Sequence, residues 1–165
     1  MKILLSVVLF LFVQDDVYKE GKAQLDAKQY DGAEAAFRQL ADADGVTGSK
    51  GNEGLSRVEI GRKNYDQAIE YAKKAVELDG ENADAHYALA LAYGFRQDFK
   101  SAVPSLERVV ALRPDFAYAH YQLGQAQYRL KRYDQTIIHF KKFIELAPDA
   151  PEAPQVKSIL KTVGG

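Results

Sequence analysis

The three histidines are the residues best suited to bind a metal ion or to transfer a proton. The sequence numbers of His86 and His120 differ by 34. If the chain repeats at that interval, their rings lie about 10 Å apart, the usual spacing of packed helices. Two imidazoles so separated cannot share a zinc ion, whose nitrogen ligands lie at about 2.0–2.1 Å. We therefore predict packed imidazoles with hydrogen-bond partners at both positions. We expect His139, which stands next to Lys141 and Lys142, at the surface.

Other arrangements that could catalyse a reaction are missing from the sequence. There is no cysteine, which excludes a thiol nucleophile, disulfides and Cys-ligated zinc. The glycines in the segment 45–54 are spaced by three, but no Gly-Lys-Ser follows, as a phosphate-binding loop would require. We assign this run to a loop between repeats. The sequence therefore predicts a chain that is not an enzyme and has no metal, no cofactor and no small-molecule substrate.

The net charge and the hydrophobic content of the chain limit the kinds of protein it can be. Twenty-two Lys and Arg stand against 23 Asp and Glu, so the formal net charge is −1. No global positive field is present to attract nucleic acid or an anionic membrane. Hydrophobic residues make up 47% of the chain, which is typical of a folded globular protein and not of a disordered one.

The N-terminus carries an apolar run, Ile3–Val13, after Lys2. Eleven residues are too short to cross a bilayer core of about 30 Å as a helix, so we predict no transmembrane span. The run fits a secretory signal, with residues 1–14 as the signal peptide and a secreted protein, periplasmic or extracellular, as the consequence. The segment around Val13 lacks a small-x-small cleavage site. The alternative is an apolar first helix on a cytoplasmic protein, packed on the chain itself or on a neighbour.

The chain repeats itself at a fixed interval. The sequence numbers of Tyr65, Phe99 and Tyr133 rise by 34 from each to the next, and that of Tyr30 is 35 below Tyr65. All four residues open similar segments. Within each interval the apolar residues follow two helical stripes. A single helix pair cannot bury both stripes, whereas stacked copies can. The spacing therefore predicts four stacked helix pairs.

Small residues recur at fixed places in these pairs. They are Gly21, Ser56, Ala90 and Gly124 in the first helices, and Ala33, Ala68, Ala102 and Thr136 in the second helices. Small side chains at a helix crossing let the two backbones approach closely, and a large aromatic side chain fills the remaining gap. We therefore expect these eight positions to lie where the helices of a pair cross.

The spacing of particular residues resembles a known repeat family. The last unit reads His120-x2-Leu123-Gly124, then Thr136-x3-Phe140, then Pro148, and the unit before it has His86-x2-Leu89-Ala90, Ala102-x3-Leu106 and Pro114. This pattern resembles the tetratricopeptide repeat, with its W-x2-L-G-x2-Y, A-x3-F and P signature. The resemblance implies an all-α fold, a right-handed α-solenoid of about four helix-turn-helix repeats plus a C-terminal capping helix. We divide the chain into an array over 15–150, with units 15–48, 49–82, 83–116 and 117–150, and a capping helix in 151–165.

The resemblance also implies a function. First helices of such arrays line a concave groove, which holds an extended peptide or a helix of a partner protein. We therefore predict a protein-protein interaction scaffold. The outward stripes of the first helices supply the candidate partner-binding residues: Tyr18, Lys22, Arg57, Tyr87, Leu91, Phe95, Tyr118, Tyr121, Gln125, Tyr128 and Arg129.

Three alternatives stay open at this point. Tyr18, Tyr87 and Tyr121 are equivalent by repeat and could pack between neighbouring first helices instead of contacting a partner. The chain could also assemble with itself as a homo-oligomer or filament, with the Ile3–Val13 segment entering a neighbour's groove. Third, the tyrosines together with Arg57 and Arg129 could stack the bases of single-stranded RNA.

Overall fold

The computed structural model describes residues 2–164, with side chains from residue 14 onward. Over that range the chain forms helices and no strand. The helices are α1 (Lys2–Asp26), α2 (Tyr30–Ala41), α3 (Gly45–Gly61), α4 (Tyr65–Leu78), α5 (Ala83–Phe95), α6 (Phe99–Leu112), α7 (Ala117–Arg129), α8 (Tyr133–Leu146) and α9 (Ala153–Val163). The first eight make four helix-turn-helix pairs and α9 follows them. The predicted all-α fold of repeated hairpins is confirmed.

The same turn joins the two helices of every pair. Lys28, Lys63, Gln97 and Lys131 all have positive φ angles, of 59° to 67°. In each turn the next residue's amide donates to a carbonyl five residues back, for example Arg132 to Gln127 at 2.8 Å. This is the Schellman motif, which satisfies the last carbonyls of a helix with a left-handed residue. The repeat is therefore present in the backbone as well as in the sequence.

The eight small residues predicted at helix crossings are all buried. A Cβ placed on Gly21 would lie within 3 Å of the Phe37 ring, and a Cβ on Gly124 would lie equally close to the Phe140 ring. Both phenylalanines are fully buried. The prediction that an aromatic side chain fills the gap beside a small residue is therefore confirmed at these two positions.

The loop predicted for the glycine run in segment 45–54 is wrong, because α3 begins at Gly45 and continues to Gly61. Gly48, Gly51 and Gly54 lie along one face of α3. A Cβ on Gly51 would lie within 3 Å of the α2 backbone at Leu40 and Ala41. The glycines therefore bring the two helices into close contact. Gly and Ser suggested a loop by composition, but a spacing of three residues also describes one face of a helix.

Residues 1–92 form one compact unit and residues 93–165 a second. The core of the first unit contains Phe37, Leu55 and Val58. The core of the second unit contains Tyr121, Phe140, Phe143 and Val156. Val156 belongs to α9 and is fully buried, so α9 covers the last hairpin as predicted.

Helix α1 continues through the predicted boundary at residue 14. Among the helices described, none is long and apolar enough to span a membrane. The side chains of Ile3–Val13 lie outside the described side chains, so the signal-peptide interpretation stays a prediction.

Candidate partner-binding faces

In the first unit, the first-helix face is organised around Tyr18. Its ring centroid lies 5.8 Å from that of the buried Phe37, and its hydroxyl donates to Glu53 Oε2 at 3.0 Å. The ammonium groups of Lys22 and Lys50 lie 5.7 and 5.6 Å from the Tyr18 ring centroid. The core contact and the hydroxyl bond thus fix the ring, and two cations lie against it.

Glu53 holds this face together, although it is not among the predicted partner-binding residues. It is only 2% exposed, and its carboxylate accepts hydrogen bonds from Tyr18 and from the Arg57 guanidinium. Arg57 also lies 3.7 Å from the Asp84 carboxylate. A buried carboxylate is costly unless it is paired and hydrogen-bonded, and these two donors meet that need. Arg57, predicted as a cation for a partner, therefore also has a structural role.

The pKa values of this cluster follow from the same contacts. Burial raises the pKa of Tyr18 well above its ordinary value, and the Glu53 carboxylate raises it further. Burial by itself would lower the pKa of Arg57, but the carboxylates of Glu53 and Asp84 outweigh that effect and raise it. Tyr18 is therefore a neutral donor and Arg57 a cation at any physiological pH.

In the second unit, Tyr121 belongs to the core. It is 9% exposed, and its ring centroid lies 5.0 Å from that of Phe143 and 6.2 Å from that of Phe140. Its hydroxyl accepts a hydrogen bond from the Gln125 amide. The alternative that the repeat-equivalent tyrosines pack inside the array therefore describes Tyr121 well.

Tyr118 presents the exposed ring of this face. It is 38% exposed, and its hydroxyl donates to Glu152 at 3.2 Å. The Tyr18–Glu53 bond in the first unit spans 35 residues and the Tyr118–Glu152 bond spans 34. Each bond therefore links a tyrosine to a carboxylate one repeat later, although Tyr18 and Tyr118 stand at different positions of their repeats.

The two remaining candidates of the first unit lie on α5. Tyr87 and Leu91 are both half-buried. Tyr87 also interacts with other residues of the chain. Neither residue is strongly exposed, so each offers a partner only part of its side chain.

Phe95, Tyr128 and Arg129 lie elsewhere, at the C-terminal ends of α5 and α7 beside the hairpin turns. The Arg129 guanidinium lies 5.9 Å from the Phe99 ring centroid, and the Tyr128 and Tyr133 rings are 6.0 Å apart. The sequence placed Tyr128 and Arg129 on the stripe of Tyr118, and Phe95 on the stripe of Tyr87 and Leu91. In the structure all three lie at the turn ends of their helices, and their role in binding a partner stays a prediction.

The histidines differ in part from the prediction. The Nε2–H groups of His86 and His120 donate to the carbonyls of Gly80 and Pro114, at 3.1 and 3.0 Å, which confirms the expected hydrogen-bond partners. The surface location expected for His139 is wrong: it is half-buried, and its Nδ1 lies 3.1 Å from His120 Nδ1. Because His120 already donates through Nε2, its neutral ring accepts at Nδ1, and His139 is the donor.

Burial, and secondly the neighbouring His120, lower the pKa of His139 to about 4. This His–His bond joins α7 to α8. The repeat interval relates only histidines at equivalent positions, so it does not reveal a pair formed within one hairpin. Among the residues whose side chains are described, no group of three or more His, Cys, Asp or Glu could hold a metal ion.

Comparison with known proteins places this architecture among repeat proteins. Mouse DnaJ homolog subfamily C member 3 is 28% identical over 137 residues, which are 80% of this chain and 25% of that protein. Cell division cycle protein 27 homolog A of Arabidopsis thaliana is 28% identical over 99 residues, 60% of this chain and 14% of that protein. The chain thus spans a quarter or less of the length of these curated relatives.

Two solved structures superpose on most of the chain. The crystal structure of MamA protein superposes with a TM-score of 0.75 at 26% identity, over 92% of this chain and 82% of MamA. The Arabidopsis OM64 TPR domain superposes with a TM-score of 0.68 at 20% identity, over 71% of this chain and 97% of that domain. The second likeness concerns the fold alone.

The model of the tetratricopeptide repeat family matches residues 18–83, 52–93 and 87–151. These matches cover the four helix pairs from Tyr18 onward and most of the chain. Together with the repeated Schellman turns and the buried small residues at each crossing, they confirm the resemblance seen in the sequence. The chain belongs to the tetratricopeptide repeat family.

Proposed function

We propose that this chain is a protein-protein interaction scaffold that binds an extended or helical segment of a partner protein on the first-helix face. Members of this repeat family generally bind other proteins. The observation that carries the proposal is the fixed orientation of Tyr18 and Tyr118, whose hydroxyls are each bonded to a carboxylate one repeat later. An aromatic side chain that is already ordered loses little conformational entropy on binding.

The charges of this face favour a protein partner over RNA. Arg57 is engaged by Glu53 and Asp84, so its charge is largely neutralised within the chain. A protein that binds single-stranded RNA normally presents a positively charged groove along the backbone of the strand. The net charge of −1 also supplies little attraction to a polyanion.

The proposal can be tested by recovering partners with variants of the full chain. Tyr121 is unsuitable for substitution because its ring packs in the core. Tyr118→Ser and Lys22→Glu change exposed side chains in the second and first units. Ile138→Ser is the matched control, because Ile138 is 56% exposed on α8, a second helix.

We expect immunoprecipitation from the source cells to recover a protein partner with the native chain and with Ile138→Ser, but much less of it with Tyr118→Ser or Lys22→Glu. Equal recovery with all three variants contradicts the first-helix face as the site. Recovery that is lost after ribonuclease treatment supports the RNA alternative. Recovery of only a second copy of the chain supports self-assembly.

A further inference from the structure

The two units carry opposite net charges. Residues 1–92 contain eleven Lys and Arg against sixteen Asp and Glu, a net charge of −5. Residues 93–165 contain eleven Lys and Arg against seven Asp and Glu, a net charge of +4. The near-neutral total therefore conceals a strongly acidic unit and a basic one, and such asymmetry indicates different partners for different surfaces.

Most of the positive excess of the second unit lies at the hairpin turns. The segments 94–100 and 128–134 contain five cations and two carboxylates. The cations are Arg96, Lys100, Arg129, Lys131 and Arg132, and all are exposed. The contact of Arg129 with the Phe99 ring joins the two segments. We call this surface, formed by segments 94–100 and 128–134, the basic-aromatic edge.

Aromatic rings stand among these cations. Phe95 is 53% exposed and Tyr133 is 44% exposed, and both belong to the few large hydrophobic side chains that are exposed in the described part of the chain. Tyr133 also contacts the half-buried Tyr128. Exposed aromatic rings beside Arg and Lys have the composition of binding hot spots.

One of the two carboxylates on the edge already makes a hydrogen bond within the chain. Asp98 caps α6, and its carboxylate accepts a hydrogen bond from the Ser101 amide at 3.1 Å. Hydrogen bonds from the Ser101 side chain and from its amide lower the pKa of Asp98, and the nearby Arg96 and Lys100 lower it further. Asp98 therefore stays ionised and directed at the helix terminus. It offsets only part of the positive charge around it.

The equivalent turns of the first unit provide a comparison. The segments 25–31 and 60–66 contain three cations and three carboxylates, so their charges balance. Arg62 there is bonded to Asp31, Glu34 and Glu59 and serves the packing of the unit. The same hairpin turn thus folds without excess positive charge, and the fold does not explain the excess in the second unit.

We propose that the basic-aromatic edge binds an acidic segment of a partner protein that also carries an apolar side chain. Carboxylates complement the five cations, and an apolar side chain can pack against Phe95 and Tyr133. The net charge of the whole chain is −1, which gives little attraction to a long polyanion or an anionic membrane. A short acidic segment needs only the cations of the edge. This surface does not include Tyr18 or Tyr118, so the inference stands apart from the function proposed above.

The test measures binding of the full chain to a short fluorescein-labelled peptide rich in Asp and Glu that contains one Leu and one Phe, by fluorescence anisotropy. Lys100→Glu/Lys131→Glu reverses two charges of the edge. Lys28→Glu/Lys63→Glu reverses two charges at equivalent turns of the first unit and is the matched control. We expect the edge variant to weaken binding about tenfold, since each charge reversal replaces an attraction to the acidic peptide by a repulsion. We expect the control variant to bind within about twofold of the native chain.

Substitution of an aromatic ring separates the edge from attraction by net charge. Tyr133→Ser leaves the charge unchanged and is expected to weaken binding several-fold. Circular dichroism verifies that each variant keeps its helices. Equal losses in both charge variants, no effect of Tyr133→Ser, or no binding by the native chain would overturn the proposal. Tighter binding of oligouridine or of phosphatidylserine vesicles at physiological salt would also overturn it.

Discussion

The two units use the same hairpin and the same turn, yet their first-helix faces are built from different interactions. In the first unit the central contact is ionic, with Glu53 buried between Tyr18 and Arg57. In the second unit the equivalent centre is aromatic, with Tyr121 packed on Phe140 and Phe143. The repeat determines the positions of these side chains but not the type of interaction that they make.

This difference shows how a repeat array separates stability from recognition. Both units meet the packing requirement at the helix crossings, through Phe37 against Gly21 and Phe140 against Gly124. The residues around those crossings can then diverge. A buried charge network that is internally satisfied, as in the first unit, offers fewer free groups to a partner than an exposed ring such as Tyr118 in the second.

The largest effect is expected from Arg57→Ala, which leaves the buried Glu53 carboxylate without its cation. Removing one partner of a buried ion pair is strongly destabilising, and we expect a loss of about 3 kcal/mol in the free energy of unfolding. The equivalent residue of the second unit is Gln125, and Gln125→Ala should cost about 1 kcal/mol at most, because only a neutral hydrogen bond is lost. Urea denaturation followed by circular dichroism measures both losses. Equal losses would contradict the contrast between the units.

The second unit should respond to acid through His139. Its folded-state pKa of about 4 lies below the ordinary histidine value, so the unfolded chain takes up the proton first as the pH falls. Stability is therefore unaffected above pH of about 6.5 and decreases as the pH falls from about 6.5 to about 4. The full pKa shift corresponds to about 3 kcal/mol, and solvent screening of the half-buried ring reduces the expected loss to about 2 kcal/mol. His139→Phe should remove this part of the pH dependence. Parallel stability curves for the native chain and the variant would refute the assignment.

A smaller effect, this time an increase in the free energy of unfolding, is expected from Ser56→Ala in the first unit. Ser56 is fully buried and its hydroxyl has no hydrogen-bond partner, whereas Ala90 occupies the equivalent place in the next repeat. Removing an unsatisfied buried hydroxyl should raise the free energy of unfolding by about 1 kcal/mol. Thr136→Ala is the contrasting change in the second unit, because its hydroxyl donates to the Arg132 carbonyl at 3.0 Å, and it should not stabilise the chain. A destabilised Ser56→Ala protein would show that the hydroxyl is satisfied after all.

The smallest effects concern the turns that both units share. Lys63 and Gln97 adopt positive φ angles of 67° and 63°, which favour glycine. Lys63→Gly and Gln97→Gly should each raise the free energy of unfolding by about 0.5 kcal/mol, the relief of backbone strain being partly offset by the entropy of the unfolded chain. Lys73→Gly within α4 should lower it by about 1 kcal/mol. Thermal unfolding distinguishes these signs, and a loss at both turns would contradict the Schellman geometry.

The fold could be predicted from the sequence because close packing of the helices restricts the size of the side chain at each repeat position. A glycine beside a phenylalanine, at the same place in the first and the last repeat, reports a helix crossing directly. The loop prediction for segment 45–54 failed because a segment whose glycines allow close helix contact has the same composition as a loop. Composition does not reveal whether a glycine is needed for its backbone freedom or for its lack of a side chain.

The candidate faces were harder to predict because polar partners are set by three-dimensional contact. Nothing in the sequence marks Glu53 as buried, and only the approach of Tyr18 from the preceding repeat makes its burial favourable. His139 and His120 have no fixed spacing that marks a pair across two helices of one hairpin. The exposed position of Tyr118, by contrast, followed from its place on the helical stripe.

The most direct measurement of the central claim is site-specific photo-crosslinking in the source cells, with benzoylphenylalanine in place of Tyr118 or of Ile138. These residues are exposed on a first and on a second helix of the same hairpin. We predict that the Tyr118 position yields a discrete crosslinked partner protein, identified by mass spectrometry, and that the Ile138 position does not. Crosslinks to the same protein from both positions, or from Ile138 alone, would contradict binding on the first-helix face.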